Sequence, residues 1–246
     1  MTARWVVWQR PYALALLLGL AVALPVCLAQ REAFNEREVK QQPNVQDKEG
    51  IWVLDFRFKD PRLLTVDVPG YGRKLVWYVW YQVINNTGEP RTFIPDFELV
   101  TTDQPGVYRD QVSPKVQEAI CAIEDPTADP KERLTRIKNS VTIASEPIPT
   151  SKKDAFPRKV TGVAIWFDTT KEQKLQDSNR FSIFVAGLSD GVSVDDQNTV
   201  RRKTLQLNFR RLGDRYYQDS REIRFVPPAG WIYRASKLSI PEKGKK

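Results

Sequence analysis

The chain has 246 residues and a formal net charge of +8, from 38 Lys and Arg against 30 Asp and Glu. It contains no histidine, which excludes Ser-His-Asp and Cys-His catalysis and histidine-ligated zinc. Its cysteines are Cys27 and Cys121, and only Cys121 lies beyond the N-terminal apolar run. We therefore expect no intrachain disulfide in the mature protein, whose stability must come from core packing.

The first 29 residues have the layout of a secretory signal peptide. Arg4 and Arg10 form a basic start, residues 13–24 are apolar, and small residues precede Gln30. The sequence predicts cleavage after Ala29, export to the periplasm or the outside of the cell, and no membrane span in the mature chain. Loss of the two arginines lowers the net charge from +8 to +6.

Two alternatives to cleavage after Ala29 remain open. In the first alternative, the N-terminal segment is not cleaved and anchors the protein in the membrane. Its apolar run is, however, shorter than the about 20 residues that cross a bilayer. The segment Leu24-Pro25-Val26-Cys27 has the leucine of a lipoprotein signal. It also has Val before the cysteine, where Gly, Ala or Ser is usual.

A polar, aperiodic stretch at residues 30–50 predicts a flexible linker. Alternating apolar residues then predict strands at 51–58 and 63–68, with breaks at Asp60-Pro61 and Pro69-Gly70. The strongest strand pattern spans residues 75–84 and is apolar on both faces, so we expect both of its faces to be covered.

Residues 92–101 predict a further strand, and residues 113–139 a helical insert. Ser113 can cap a helix with Pro114 at its first position, and Asp129 is a second signal for a helix start. Cys121 lies in the apolar stripe of this insert and is expected to be a small buried residue.

Strands resume after the insert and continue to residue 233. We expect them near residues 141–144, 160–167, 180–186, 204–210, 222–225 and 231–233. Around ten short strands without regular helix alternation predict a mainly β fold, an antiparallel immunoglobulin-like sandwich with a short helical insert. We place it in one domain at 51–235, followed by a basic tail at 236–246. Two small β domains that meet near 147–156 are the alternative.

Three sequence blocks carry a family resemblance: WYVWYQVIN at 77–85, GVAIW at 162–166 and VAGLSDG at 185–191. They resemble blocks of a group of uncharacterised exported bacterial proteins, across the mature chain. The first block is also similar to exported immunoglobulin-like modules. The resemblance implies an exported β-sandwich, and it brings no known activity and no catalytic residue.

Carboxylates are the remaining candidates for catalysis in a chain without histidine. Asp96 and Glu98 share one strand face, and glycosidases use carboxyl pairs about 5–9 Å apart. A cleft is also required, and the pattern favours a solvent-facing polar edge.

Asp190, Asp195 and Asp196 cluster in a loop that has the oxygen ligands calcium prefers. EF-hand spacing is absent, and Asp in such loops commonly stabilises turns. We predict no metal and no cofactor, and we retain the three aspartates as candidate binding residues.

Tyr78 and Trp80 share the strand face opposite Trp77. That face either lies under the helical insert or forms an exposed aromatic patch for a partner. The basic stretches 201–203 and 210–211 indicate a solvated hairpin or a patch for anionic polymer or lipid headgroups. Nucleic acid is not expected to meet an exported protein.

These features together predict a non-catalytic exported module that binds, or has a structural role, in the cell envelope or outside it. The expected partner is an envelope protein or polysaccharide of unknown identity. The alternative is a carboxylate-dependent hydrolase of envelope polysaccharide.

Overall fold

The computed structural model describes residues 36–152, 155–213 and 222–235. The chain divides into two compact units, Met1–Ala33 and Phe34–Lys246, and the described residues all belong to the second. The predicted signal peptide at 1–29 and the basic tail at 236–246 lie outside the described residues.

Five antiparallel strands form the first sheet. They are β1 (Arg37–Val39), β2 (Asp55–Phe58), β3 (Arg62–Val68), β4 (Gly72–Ile84) and β7 (Lys159–Trp166). The long strand β4 is its centre, because β2 and β3 pair with successive parts of one edge and β7 pairs with the other.

Six antiparallel strands form the second sheet. They are β5 (Asp96–Thr101), β6 (Gly106–Arg109), β8 (Arg180–Ala186), β9 (Val192–Val194), β10 (Val200–Arg211) and β11 (Ile223–Ala235). The strand order is β11-β10-β8-β5-β6, and β9 pairs with the start of β10. The described protein is therefore mainly β, with two antiparallel sheets and few helices.

Side chains from both sheets form one aromatic-rich core. Phe56 and Tyr81 of the first sheet stack at 5.4 Å, and Tyr81 lies 4.8 Å from Phe97 of the second, measured between ring centroids. Gly162 makes room for Tyr81, since a Cβ at that position would lie 2.5 Å from the tyrosine ring. Burial of such large rings is the main favourable contribution to folding.

A helical layer covers the outer face of the first sheet. Its helices are α1 (Pro114–Glu124) and α2 (Arg133–Arg136). Val116, Ile120 and Cys121 of α1 pack with Tyr78 and Trp80 of β4 in a second buried cluster. The expectation that both faces of this strand are covered is confirmed. Burial raises the pKa of the Cys121 thiol to about 11, as expected for an unreactive packed cysteine.

The predicted strand at 141–144 is wrong, because these residues begin a 3₁₀ turn at Thr142–Ser145. The side-chain oxygen of Asn139 accepts the amides of Val141 and Thr142 at 3.0 and 2.9 Å. This local hydrogen bonding competes with a strand ladder.

The polar stretch predicted as a linker at 30–50 is ordered over part of its described residues. Residues 37–39 form β1, and Asp47 accepts a hydrogen bond from Nζ of fully buried Lys203 at 2.5 Å. Tyr233 of β11 donates to the same carboxylate at 2.9 Å. The segment thus pairs with the first sheet and binds a charge on the second.

Strand β11 replaces the two separate strands predicted at 222–225 and 231–233. Its register against β10 shifts between Gln206 and Asn208, and Pro227 and Pro228 lie at that irregularity. Strands β6 and β9, with four and three residues, were not predicted.

Candidate functional site: the open face of the second sheet

The outer faces of the two sheets differ. Helix α1 packs on the first sheet, whereas the outer face of the second has no helical layer among the described residues. We call this surface the open face. It carries six arginines and two carboxylates, namely Arg109, Arg180, Arg202, Arg210, Arg224, Arg234, Asp96 and Glu98.

Three arginines lie side by side across neighbouring strands of the open face. Arg210 of β10 is directly opposite Arg180 of β8 on one side and Arg224 of β11 on the other. All three are exposed, and no described carboxylate pairs with them. Like charges directly opposite each other destabilise a sheet, so this arginine row has a cost that an anionic ligand would offset.

A depression of about 320 Å³ adjoins the arginine row. Arg180, Ser182, Asn208 and Arg210 line it. The Ser182 hydroxyl and the Gln206 amide both donate to Oδ1 of Asn208, at 2.8 and 2.9 Å. The depression therefore places two guanidinium groups beside neutral hydrogen-bonding side chains and the apolar side chains of Phe181, Phe209 and Val226.

A second charged group occupies the other end of the open face. Glu98 is 6% exposed, and its Oε2 accepts a hydrogen bond from Arg234. The Arg234 guanidinium lies 4.2 Å from the Phe184 ring centroid, a cation–π contact. Arg109 is opposite Glu98, and Arg202 is opposite Arg234. Glu98 Oε1 has no donor among the described residues.

The carboxyl pair considered for hydrolysis lies in this second group. Asp96 and Glu98 line one cleft, as their spacing on one strand face predicts. The cleft encloses about 30 Å³, far below the about 300–1,000 Å³ of ligand pockets, and no described tryptophan lines it. Arg234 also lines this cleft and donates to Glu98 Oε2. The carboxylate-dependent hydrolase stays a prediction, and a cleft of this volume gives it no support.

The structure buries the aromatic pair Tyr78 and Trp80 beneath α1. They are 2% and 8% exposed, so of the two alternatives for this face the covered one is observed. Tyr78 Oη donates to Glu124 at 3.0 Å, and the Lys59 ammonium lies 4.1 Å from the Trp80 ring. Burial, followed by the nearby charge of Glu124, raises the Tyr78 pKa. Neither ring offers surface to a ligand.

Two of the three loop aspartates have partners in the described structure. Asp190 accepts the Trp52 amide at 2.9 Å, and Asp195 accepts the Thr199 amide at 2.8 Å and pairs with Arg201 at 2.8 Å. The Thr199 amide, then Arg201, lowers the Asp195 pKa. Asp196 is exposed. No group of three or more metal-ligating acids or cysteines occurs in residues 36–152, 155–213 and 222–235.

Sequence reasoning missed the arginine row although its residues were visible. Each of the basic stretches 201–203 and 210–211, considered as a whole, predicts a solvated hairpin or a patch for anionic polymer or lipid headgroups. Strand alternation divides them, because Arg202 and Arg210 point outward while Lys203 and Arg211 are buried. Period-2 spacing along β10 is the signal that separates the two sets.

Comparison with known proteins found no match. No protein-family model, no curated protein and no solved structure matches this chain. Within the described part of the chain, no helix combines the length and hydropathy needed to cross a bilayer.

Proposed function

We propose that this protein is an exported, non-catalytic immunoglobulin-like β-sandwich that binds an anionic partner in the cell envelope or outside it, through the open face. The arginine row is the observation that supports this proposal. Arg180, Arg210 and Arg224 sit in register, exposed, without a described carboxylate. Export rests on the signal-like first 29 residues, and the resemblance to exported bacterial proteins remains a prediction.

Arginine suits this task for a physical reason. Its guanidinium is planar and always charged, and it presents parallel N–H donors that match carboxylate, sulfate and phosphate oxygens. Strands lie about 4.7–4.9 Å apart, so the row spans about 10 Å across β8, β10 and β11. One ligand segment can therefore contact all three guanidinium groups.

The test compares two triple variants that remove the same charge. R180Q/R210Q/R224Q removes the arginine row, and K115Q/K131Q/K171Q removes three exposed lysines elsewhere. The purified proteins are mixed with washed envelope fraction from the producing cell and sedimented at increasing salt. We expect the row variant to lose retention at least ten-fold while the lysine variant keeps it. Equal retention of the two variants would contradict the proposal.

A further inference from the structure

The charges of the open face are separated by a neutral stretch. Along β10, Arg202 and Arg210 are eight residues apart, which is about 26 Å at 3.3 Å per residue. Between them, Gln206 and Asn208 face outward, with Ser182 of β8 beside Asn208. We call Ser182, Gln206 and Asn208 the neutral strip. All three are half-buried.

The neutral strip is internally ordered. Oδ1 of Asn208 already accepts two hydrogen bonds, from Ser182 and Gln206. This fixes the three side chains relative to one another before any ligand arrives. Ordered amide and hydroxyl groups recognise ligand hydroxyls by hydrogen bonding, and leaving them unpaired against an apolar or purely ionic ligand has a cost.

Carboxylates at one end of the open face further limit which ligands this face can bind. Asp96 is exposed and has no described hydrogen-bond partner, and Glu98 lines the same cleft. Carboxylates only accept hydrogen bonds, so they favour a ligand with hydroxyl donors and repel an anionic group placed next to them. We therefore expect a ligand that follows β10 and extends over β8 toward β5 to be anionic in parts and rich in hydroxyls elsewhere.

We infer that the open face binds an acidic polysaccharide, with its chain along β10, acid groups at the arginines and sugar hydroxyls at the neutral strip. This inference rests on the proposed anion-binding function and names its ligand class. The Phe184 ring, already in contact with Arg234, lies next to the strip on β8.

A polynucleotide fits the same face less well. One strand of duplex DNA carries a phosphate about every 3.4 Å, so about eight phosphates would span the about 26 Å between Arg202 and Arg210. Most of these would face the neutral strip, which has no positive charge to pair with them. Single-stranded nucleic acid also needs successive aromatic platforms, and Phe184 is the aromatic side chain that the described open face provides.

The experiment titrates the full purified protein with four probes by calorimetry. The probes are a polyuronate oligosaccharide, a neutral oligosaccharide of equal length, a single-stranded oligothymidylate, and vesicles that contain anionic phospholipid. We expect saturable binding of the polyuronate, at least ten-fold tighter than any other probe. The affinity should fall with salt, and R180Q/R210Q/R224Q should flatten that dependence.

Variants of the neutral strip separate hydroxyl recognition from simple charge attraction. Q206A/N208A should weaken polyuronate binding at least ten-fold and leave the salt dependence unchanged. The matched control Q41A/Q176A changes two exposed glutamines elsewhere and should bind normally. Q206E is a second variant that keeps a hydrogen-bonding side chain, and it should weaken binding by repulsion. Circular dichroism and thermal melting verify that each variant is folded.

The outcomes distinguish this inference from the proposed function. Tighter binding of oligothymidylate or vesicles, or an unchanged polyuronate affinity in Q206A/N208A, would overturn the polysaccharide inference and leave anion binding in place. If no anionic probe binds and envelope retention ignores the arginine row, both fail.

Discussion

Asp110 is a single residue that makes folding stability depend on pH. It accepts hydrogen bonds from the Ser140 hydroxyl and, at 2.7 Å, from the Ile165 amide. Burial nevertheless raises the pKa of Asp110 to about 6, against these hydrogen bonds. The folded state therefore binds the proton more tightly than the unfolded state, whose carboxyl has a pKa of 3.8. Its contribution to stability decreases as pH rises from about 4 to 6.

Asp110→Asn should remove this dependence. We expect the difference in free energy of unfolding between wild type and variant to change by about 1–3 kcal/mol between pH 4 and 6, since one pKa unit corresponds to about 1.4 kcal/mol. Urea unfolding at fixed ionic strength measures it. Asp196→Asn, at an exposed position, is the control and should follow the wild type. A parallel pH profile in both variants would show that Asp110 does not titrate as described.

The sequence predicts which face of β10 each basic residue of the candidate site occupies, but it does not predict the arginine row. Side chains alternate between the two faces of β10, and this alternation alone separates outward Arg202 from inward Lys203. The arginine row cannot be predicted from the sequence, because it depends on the strand register. That register aligns Arg210 with Arg180, 30 positions earlier, and with Arg224. Long-range strand pairing depends on packing of the whole core, and local spacing does not specify it.

Helix α1 is held on its sheet by a buried charged cluster as well as by apolar packing. The side chain of Glu124, at the last position of the helix, is fully buried and contacts Lys59 at 2.8 Å, Arg62 at 3.0 Å and the Tyr78 hydroxyl at 3.0 Å. Removing one partner of a buried ion pair leaves the others desolvated, which costs about 3–5 kcal/mol. We expect Glu124→Ala to destabilise the docked helix by this amount.

Hydrogen exchange measures whether Glu124→Ala destabilises helix α1 alone. The amides of α1 should exchange faster in Glu124→Ala, while the amides of β10 in the other sheet change less. Glu118→Ala removes an exposed carboxylate of the same helix and is the matched control. Uniformly faster exchange across both sheets would mean that the cluster supports the entire fold and not the helix alone.

Elements with a strong periodic pattern were predictable, and elements determined by local side chains were not. Strand β8 has the bounds expected from its alternation, Arg180–Ala186. The segment after Asn139 has strand-like composition, yet the Asn139 side chain satisfies its amides and turns it. Strands as short as β9 have too few residues for a period to appear.

At the scale of the molecule, the segment after β1 connects the two sheets through charge. Asp47 accepts hydrogen bonds from Lys203, the Asn44 amide and Tyr233. Burial alone would raise the Asp47 pKa, but these hydrogen bonds lower it. Asp47→Ala would leave the fully buried Lys203 ammonium without this partner, and we expect a loss of about 3–5 kcal/mol in the free energy of unfolding.

The double variant D47A/K203M should recover most of that loss, because an apolar side chain replaces the unpaired charge. Urea unfolding measures both variants, and Glu49→Ala, an exposed carboxylate two residues away, is the control. If D47A/K203M is as unstable as Asp47→Ala, the loss of stability comes from the loop contacts of Asp47 and not from the buried Lys203 ammonium.

The prolines of β11 have a consequence for how copies of this protein behave when concentrated. Strand β11 is the edge strand of the described strand order. A row of unpaired amides at such an edge is a template for pairing with a strand of another chain. Pro227 and Pro228 contribute no N–H to that row, and the irregularity around them interrupts a continuous template. We therefore expect little strand-to-strand aggregation at this edge of the sheet when the protein is concentrated.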